Sequence, residues 1–377
     1  MSHVTMSCAE PSADRYLADL ASVLGAQGVT ASGIGGPALA AAADVWSDSV
    51  TNAQMGFSAF LRTREVGKYL AEQKHRWDDQ KPACHVCCDS WMMNKHFAAA
   101  AKERGIPVVY YVAPQAWASR EGRVKRLARV ADKVACILPF EQEWFRERGV
   151  DATFVGHPLF DERHGLPAEL PATGDGAVAL LPGSRPSTVR RNLPRILEVA
   201  TAITSNQAGR RFVFPATDAT RPMIESALDK RSNTLPGKTF RDALNTPELG
   251  TDFEATVTGC TAALTVSGTA TLHTAALGVP MIAVYVGNPL LWHTIGKRLI
   301  KTRTFTLVNL LHNGDEHLIP EFIPWYGDTA PTTSALRSLL DDEAAREHQR
   351  AGFARIVDNL RGTDAAKSVA AIVGHFI

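Results

Sequence analysis

Short apolar runs alternate with stretches of helical periodicity along the first half of the chain. The run His3–Cys8 precedes a segment, from about Asp14 to Leu24, in which apolar residues recur at helical spacing. The run His85–Cys88 likewise precedes a helix around Met93–Glu103, which should end at Gly105 because glycine is common just past a helix C-terminus. Further strands are expected at Pro107–Val112, Lys133–Leu138 and Ala152–Val155. Strands alternating with helices predict an α/β domain, a parallel sheet with helices on both faces.

The alternation stops in a stretch rich in Pro, Gly and Ala, Gly165–Gly174, which has the composition of a linker. A second alternating series then begins, with strands expected at Ala177–Leu181, Arg211–Phe214, Ala262–Val266 and Val279–Tyr285 and helices at Ser187–Ile203 and Ala270–Leu277. We therefore expect two doubly wound domains, over residues 1–165 and 175–335, followed by a helical tail over residues 336–377. The tail's composition leaves open whether it packs across the domains or exchanges between the subunits of a homodimer.

Composition and charge narrow the class of protein. The chain has 377 residues, 45% of them hydrophobic, which is enough for two domains with separate cores. Its 40 Lys and Arg balance 39 Asp and Glu, so no whole-protein field favours nucleic acid as a partner. Neither a long apolar run nor the basic and apolar regions of a signal peptide are visible, so a cytoplasmic location is expected.

The six cysteines, at positions 8, 84, 87, 88, 136 and 260, include a Cys-x-x-Cys spacing. Such a spacing occurs in zinc sites and redox pairs. No second ligand pair follows Cys84 and Cys87, and the run ahead of Asp89 is apolar. Buried free thiols in a strand are therefore the preferred interpretation, and no metal is expected.

Two loops of the second domain have features of phosphate sites. Leu180–Arg185 joins a strand to a helix. Gly183 allows the backbone to approach a ligand closely, and the N-terminus of the helix attracts anions. Arg185 can donate bidentate hydrogen bonds to phosphate oxygens. A plain turn with a surface arginine is the alternative. Val266–Leu272 repeats the arrangement, and its hydroxyls either cap the helix or bind a diphosphate. Two such loops in one parallel sheet should converge on the same crevice.

Carboxylates follow two strands of the first domain. Glu10, Ser12 and Asp14 come after the first strand, and Asp89 comes directly after Cys88. Carboxylates at strand C-termini are placed to act as bases or to hold sugar hydroxyls. The alternative for Asp14 and Asp89 is that each caps the helix that follows it.

In this order, the segments resemble the lipid-A-disaccharide synthase family of glycosyltransferases. The likeness covers about residues 3 to 330, and nine collinear motifs are more specific than any one alone. They are Ala9–Asp14 (family Gly-Glu-x-Ser-Gly-Asp), Gly33–Pro37, Met55–Gly56, Asp89–Asn94 (Asp-x-x-x-x-Asn), Tyr111–Ala118, Phe154–Pro158, Leu181–Arg185, Ser267–Leu272 and Leu307–Leu311.

The resemblance implies a GT-B fold, two Rossmann-like domains facing a central cleft, and a defined reaction. The donor would be UDP-2,3-diacylglucosamine, the acceptor 2,3-diacylglucosamine 1-phosphate, and the products a β-1,6 disaccharide phosphate and UDP. Asp89 would be the general base, and Arg185, with N–H groups near Gly183 and Thr269, would stabilise the leaving UDP. Asn309 would hold the nucleotide-sugar.

The resemblance also assigns binding roles. The substrate-binding residues would be Glu10, Ser12, Asp14, Met55, Gly56, Asn94, Trp117 and His157. The UDP-binding residues would be Gly183, Ser184, Arg185, Ser267, Gly268, Thr269, Thr271, His273 and Asn309. No Asp-x-Asp occurs anywhere in the chain, so a metal clamp for the diphosphate is not expected, and neither is a cofactor.

Acylated substrates imply contact with a membrane surface. Four apolar side chains are followed closely by cations, a combination suited to peripheral association with the inner membrane; they are Met55, Phe57, Phe60 and Leu61, then Arg62, Arg64 and Lys68. An amphipathic helix packed on the sheet explains the pattern equally well. The basic segment Lys297–Arg303 is a second candidate for contact with lipid or phosphate, although such segments are commonly solvated.

Four positions depart from the family pattern. Ala9 and Ala13 replace glycines, which would be costly if either position required a positive φ. Thr188 and His273 stand where the family carries glutamates, and the second of these is expected to accept hydrogen bonds from ribose hydroxyls. A neutral histidine still offers one acceptor nitrogen. Two alternatives therefore remain, another GT-B enzyme such as a UDP-sugar epimerase and a non-catalytic paralogue that binds nucleotide or lipid.

Overall fold

A computed structural model describes residues 2–54, 59–118, 121–172, 174, 176–204, 209–230, 239–287, 304–312, 314 and 316–377, with the side chains of residues 52–63 excluded. The chain divides into two compact units. The first comprises Met1–His164 and Leu360–Ile377, and the second comprises Gly165–Asn359.

The first unit is built on a seven-stranded parallel sheet. The strands are β1 (His3–Ser7), β2 (Thr30–Gly35), β3 (Asp44–Asp48), β4 (Cys84–Cys88), β5 (Val108–Tyr111), β6 (Lys133–Cys136) and β7 (Ala152–Phe154), in the order β3-β2-β1-β4-β5-β6-β7. The helices are α1 (Pro11–Ala26), α2 (Pro37–Ala40), α3 (Ser49–Gln54), α4 (Ala59–Asp79), α5 (Trp91–Glu103), α6 (Arg123–Val130) and α7 (Glu141–Arg146).

The sheet of the first unit is covered on both faces. Every residue of β4 is buried, as expected for a central strand of a parallel sheet. Successive residues of β5 enter different cores, since Tyr111 packs with Leu17 of α1 whereas Tyr110 packs with Phe97 of α5. All six cysteines are buried free thiols. Buried free thiols were the preferred interpretation of the apolar run before Asp89.

The last helix of the chain, α16 (Ala365–Gly374), completes the first unit rather than the second. The buried carboxylate of Asp161 accepts hydrogen bonds from the backbone N–H groups of Ala365 and Ala366, at 2.8 and 3.3 Å. Val369 and Val373 of this helix join the core that contains Leu17. Helix α16 therefore supplies part of the core on the α1 side of the sheet.

The second unit is built on a six-stranded parallel sheet. Its strands are β8 (Val178–Leu181), β9 (Phe212–Pro215), β10 (Glu248–Gly250), β11 (Ala262–Val266), β12 (Met281–Val284) and β13 (Glu321–Phe322), in the order β10-β9-β8-β11-β12-β13. Its helices include α8 (Pro186–Thr204), α9 (Arg221–Leu228), α10 (Phe240–Ala243), α11 (Phe253–Val257), α12 (Thr269–Ala276), α13 (Leu307–His312), α14 (Ala330–Asp341) and α15 (Glu343–Leu360).

The parallel α/β architecture predicted for both halves of the chain is confirmed. Strands β2 and β3 were not predicted, because β2 carries two glycines and little apolar periodicity, features that weaken a strand signal. The first predicted helix was placed too late, since α1 begins at Pro11, and Cys8 lies beyond the end of β1. The predicted tail forms helices that belong to different units, with most of α15 in the second and α16 in the first.

Candidate active site

The strand order of the first sheet reverses between β1 and β4, and ligands of doubly wound folds bind where this reversal leaves a crevice. The loop that leaves β1 carries Glu10, Ser12 follows in the first turn of α1, and Asp89 lies on the loop that leaves β4. The two loops are linked directly, because the backbone N–H of Ala9 donates to the Ser90 hydroxyl at 3.0 Å. The structure thus brings together two of the predicted motifs at one edge of the sheet.

Four carboxylates surround the end of β1. Burial raises the pKa of the Cys8 thiol well above its usual value, and the charges of Asp14, Asp89 and Glu10 raise it further, with Asp48 adding a smaller effect. The thiol is therefore protonated and unreactive. The same charges give this edge of the first sheet a negative character.

Asp89 and Ser90 form a strained turn between β4 and α5. Both have left-handed backbone conformations, with φ of 47° and 48°, which non-glycine residues rarely adopt. The N-cap residue of α5 is Ser90, so the alternative in which Asp89 caps this helix is wrong. The Asp89 side chain is half-buried at the edge where the strands end.

Asp14 has a structural role in this arrangement. Asp14 lies in α1, and its side chain is buried. The carboxylate accepts hydrogen bonds from the backbone N–H groups of Gly36, Ala38 and Leu39 at 2.6, 2.9 and 3.3 Å. It therefore binds the N-terminus of α2, and the alternative in which it caps the helix following β1 is wrong, since the N-cap residue of α1 is Glu10. These three donors occupy the carboxylate that the motif resemblance assigned to substrate.

Three other predicted substrate residues have their polar atoms engaged by the protein. Asn94 is fully buried, and its amide hydrogens contact the carbonyls of Ser7, Cys88 and Asp89. His157 is buried, and its Nδ1 accepts from the N–H of Leu159 at 3.2 Å. Half-buried Trp117 donates its indole N–H to Glu141 at 2.9 Å. These side chains shape loops around the site.

The two alanines that replace family glycines cause no backbone strain. Neither Ala9 nor Ala13 is among the described non-glycine residues with positive φ. Ala13 is completely buried in the first turn of α1, where alanine is the most favourable residue. Glu10 is the N-cap residue of α1 without a side-chain capping bond, and Ser12 lies half-buried in the first turn.

In the second sheet the strand order reverses between β8 and β11. Leu181 pairs with Thr265, so the loops that follow, Pro182–Arg185 and Ser267–Thr269, leave the same edge side by side. Gly183 has a φ of 115°, and a Cβ there would lie 2.6 Å from Thr188. Thr188 therefore packs under the glycine turn. Ser184 and Arg185 are exposed above it.

Helix α12 begins with no side-chain cap. Its N-cap residue is Gly268, and the hydroxyls of Ser267 and Thr271 donate to the carbonyls of Phe305 and Gly268, both at 2.8 Å. These hydroxyls stabilise the loop and do not cap the helix. The exposed Gly268–Thr269 segment and the helix N–H groups together form a surface suited to phosphate.

His273 is accompanied by a carboxylate from a neighbouring helix. Its Nε2 lies 2.8 Å from Oε1 of Glu254 on α11, and its ring stacks on Phe253 with centroids 4.4 Å apart. Where the family has a carboxylate at position 273, this chain places the Glu254 carboxylate next to the histidine. Glu254 is a residue that the motif comparison missed, since it lies outside every motif.

Asn309 is buried in a network that fixes the loop before α13. Its amide donates to the Ile319 carbonyl at 2.9 Å and to Glu321 at 2.7 Å, and its oxygen accepts from the Ile319 N–H at 2.9 Å. Glu321 also accepts from the N–H groups of Phe305 and Thr306. The same loop carries the Phe305 carbonyl that holds Ser267, so Asn309 stabilises the α12 loop from below.

Several predicted residues lie outside the described part of the chain, namely Met55, Gly56, Phe57 and Lys297–Arg303. The side chains of Phe60, Leu61 and Arg62 are also outside it, whereas Arg64 and Lys68 are exposed on α4. Among the described residues, none of the helices combines the length and apolar character needed to cross a bilayer.

Comparison with known proteins decides the family. The sequence profile described as lipid-A-disaccharide synthetase matches residues 4–373. The chain belongs to the lipid-A-disaccharide synthetase family. A lipid-A-disaccharide synthase from Anaeromyxobacter sp. (strain K) is 33% identical over 347 residues, 87% of this chain and 85% of the relative. One from Syntrophus aciditrophicus is 31% identical over 390 residues, 97% of this chain and 96% of the relative.

Solved structures of other enzymes share the fold of this family member. MurG from Acinetobacter baumannii aligns with a TM-score of 0.57 at 12% identity, over all of both chains. UDP-GlcNAc 2-epimerase from Neisseria meningitidis, bound to UDP-GlcNAc, aligns with a TM-score of 0.66 at 11% identity, also over all of both chains. These likenesses establish the GT-B fold. Membership of the synthetase family makes the chain a glycosyltransferase of lipid A biosynthesis that uses a UDP-sugar, in agreement with the motif resemblance.

Proposed function

We propose that this enzyme transfers 2,3-diacylglucosamine from UDP-2,3-diacylglucosamine to 2,3-diacylglucosamine 1-phosphate, giving the β-1,6 disaccharide phosphate and UDP. The observation that carries the proposal is the position of Asp89 where the strand order of the first sheet reverses. A carboxylate there suits a reaction that removes a proton from a sugar hydroxyl. Family membership over residues 4–373 supports the substrate pair.

In the proposed mechanism Asp89 is the general base. It takes the proton of the acceptor 6-hydroxyl as that oxygen attacks C1 of the donor sugar. The bond from C1 to the diphosphate oxygen breaks in the same displacement, so the configuration at C1 inverts and the electron pair leaves with UDP.

The second unit binds the leaving group in this proposal. The diphosphate lies against the N-terminus of α12, where Gly268 and Thr269 expose backbone N–H groups to an anion. Arg185 on the neighbouring loop adds a charged donor. These groups stabilise the charge that grows on the diphosphate as the glycosidic bond breaks, without a metal ion.

On the uridine side, the paired side chains of His273 and Glu254 supply the ribose contacts. The Glu254 carboxylate accepts from the ribose hydroxyls, and His273 Nε2 lies 2.8 Å from one of its oxygens. Replacement of Glu254 by Gln should therefore weaken UDP binding about tenfold while leaving the fold intact, because its side chain is half exposed. Titration calorimetry with UDP tests this, with Glu248→Gln, an exposed glutamate on β10, as the matched control.

A transfer assay with both acylated substrates tests the function. We expect disaccharide from the wild type in the presence of a chelator, and a fall in kcat of at least about 100-fold for Asp89→Ala and Asp89→Asn. Asp79→Asn, which removes an exposed carboxylate at the end of α4, is the control and should retain wild-type activity. A wild-type protein that binds UDP but forms no disaccharide would refute the proposed substrates. Turnover of UDP-GlcNAc without acceptor would instead support an epimerase.

Acylated substrates also lead us to propose peripheral association with the cytoplasmic face of the inner membrane. Helix α6 supports this, because Lys125, Arg126 and Arg129 are exposed whereas Val124 and Leu127 are buried. Such a cationic helix face attracts anionic lipid. In flotation with anionic vesicles, the triple replacement of these cations by Glu should reduce the bound fraction, and zwitterionic vesicles should bind neither protein. Equal binding of wild type and variant to anionic vesicles would exclude α6 as the contact.

A further inference from the structure

The strained turn at Asp89 requires restraint from its surroundings. Two consecutive non-glycine residues, Asp89 and Ser90, have left-handed φ values of 47° and 48°. Such a conformation is unfavourable relative to ordinary backbone and persists only where neighbouring groups enforce it. The groups that enforce it therefore determine where the Asp89 carboxylate lies.

Two buried side chains hold the carbonyl oxygen of Asp89. The Tyr110 hydroxyl donates to it at 2.7 Å, and the Asn94 amide donates to it at 3.0 Å. On the other side of the residue, the Asp89 N–H donates to the Tyr111 carbonyl at 3.0 Å. The peptide after Asp89 is thus fixed from β5 and from α5. Both side chains are completely buried, so solvent does not compete for these bonds.

The orientation of Asn94 is set by its partners. Its Nδ2 faces three carbonyl oxygens, of Ser7, Cys88 and Asp89, so this atom must be the amide nitrogen. Its Oδ1 accepts from the Ser7 hydroxyl at 2.7 Å. Because Ser7 has one hydrogen and gives it to Asn94, it accepts from His85 Nε2, 3.0 Å away.

A directed chain of hydrogen bonds continues into the core. With its proton on Nε2, His85 accepts at Nδ1 from the Thr5 hydroxyl at 2.9 Å. Thr5 in turn accepts from the Trp77 indole N–H at 3.0 Å. From Trp77 through Thr5, His85, Ser7 and Asn94, each group donates to the next, and the direction ends at the Asp89 carbonyl. The turn is therefore anchored to α4 and to the central strands of the sheet.

We propose that Tyr110 and Asn94 are positioning residues that hold the Asp89–Ser90 turn in its left-handed conformation and so aim the Asp89 carboxylate at the acceptor hydroxyl. The statement that these residues aim the carboxylate rests on the proposed function of Asp89 as general base. Neither residue contacts the substrate in this scheme. Tyr110 lies outside the Asp-x-x-x-x-Asn motif, one strand away, and acts through the backbone of the base.

The test removes the Tyr110 hydroxyl and keeps the ring. Tyr110→Phe should lower kcat by roughly 10- to 100-fold with KM within about twofold of wild type, because a displaced base affects the chemical step and not binding. Tyr111→Phe is the matched control, since Tyr111 is equally buried but packs on the opposite face of the sheet. It should retain wild-type kcat.

A double-mutant comparison with Asp89→Ala distinguishes a positioning role of Tyr110 from a general structural effect of its replacement. In the Asp89→Ala background, Tyr110→Phe should produce no further fall in kcat, because the hydroxyl acts only through Asp89. A fall of the same factor in both backgrounds would overturn the proposal. So would wild-type kcat in Tyr110→Phe.

Amide hydrogen exchange decides the structural claim independently of activity. The Asp89 amide, bonded to the Tyr111 carbonyl, should exchange at least about tenfold faster in Tyr110→Phe than in wild type and Tyr111→Phe. If the wild type forms no disaccharide but this exchange accelerates, the proposed function fails and the restraint of the turn stands. Unchanged exchange at Asp89 would overturn the proposal whatever the activity.

Discussion

The carboxylate of Asp14 accepts a hydrogen bond of 2.6 Å from the backbone N–H of Gly36 and thereby joins two sequence motifs that are far apart in the chain. A Cβ at Gly36 would lie 2.7 Å from Asp14 Oδ2, so the glycine is needed for close approach. The charge of the carboxylate also favours its position at the start of α2. The Ala9–Asp14 and Gly33–Pro37 motifs are therefore parts of one structural feature.

Asp14→Ala should therefore lower the free energy of unfolding by about 2–3 kcal/mol, because three buried backbone N–H groups lose their acceptor. Urea unfolding measures this. Arg15→Ala, at the next and exposed position, should change stability by less than about 0.5 kcal/mol. An Asp14→Ala protein with wild-type stability and reduced transfer would show instead that Asp14 acts on substrate.

The buried His85 should make folding sensitive to acid. Burial lowers the pKa of His85 to about 3, below the 6.5 of the free side chain, so between these values the unfolded chain binds a proton that the folded chain excludes. Its contribution is present above pH 6.5 and is lost as the pH falls toward 3, by up to about 1.4 kcal/mol per pH unit. His85→Gln should flatten this slope in urea unfolding between pH 7.5 and 4.5. A parallel slope in both proteins would contradict the assignment.

The buried Glu141 should make the free energy of unfolding decrease as the pH rises, the opposite of the effect of His85. Burial raises its pKa to about 7, although the hydrogen bonds from Trp117 and Leu138 oppose the shift. The folded protein therefore keeps a proton that the unfolded chain releases above about pH 4.5, and this stabilisation is lost as the pH rises through 7. The stability difference between wild type and Glu141→Gln should shrink from pH 4.5 to 7.5 in urea unfolding. A constant difference across this interval would count against a protonated Glu141.

Asn309→Asp should destabilise the second unit by roughly 3 kcal/mol, since a carboxylate would face the Ile319 carbonyl and the Glu321 carboxylate where an amide now donates. Thermal unfolding of the variant measures the loss. Asn359→Asp, an exposed position on α15, is the control. A variant with wild-type stability that has lost only its affinity for UDP would mean that Asn309 binds the nucleotide directly.

The sequence predicts which loops form the site better than it predicts what each polar side chain does there. Loop positions follow from local alternation of strands and helices, so Asp89 and Gly183 are found at strand ends as expected. The partners of Asn94 and Asn309 are not local patterns. Ser7 precedes Asn94 by 87 residues, and the two side chains form a hydrogen bond only because β1 and β4 are neighbours in the sheet. A sequence motif therefore contains residues that hold the loops in place as well as residues that face a ligand, and the motif alone does not distinguish them.

The bond between Asp161 and Ala365 has a consequence for how the protein is made on the ribosome. The strands of the first unit are synthesised before the second unit, whereas α16, the helix that covers α1, follows the second unit in the chain. While the second unit is being synthesised, the apolar face formed by Leu17 and its neighbours therefore lacks the Val369 and Val373 side chains that cover it. Transiently exposed apolar surface of this kind promotes aggregation, which chaperones counteract. The core of the first unit is thus completed only after the second unit has been synthesised.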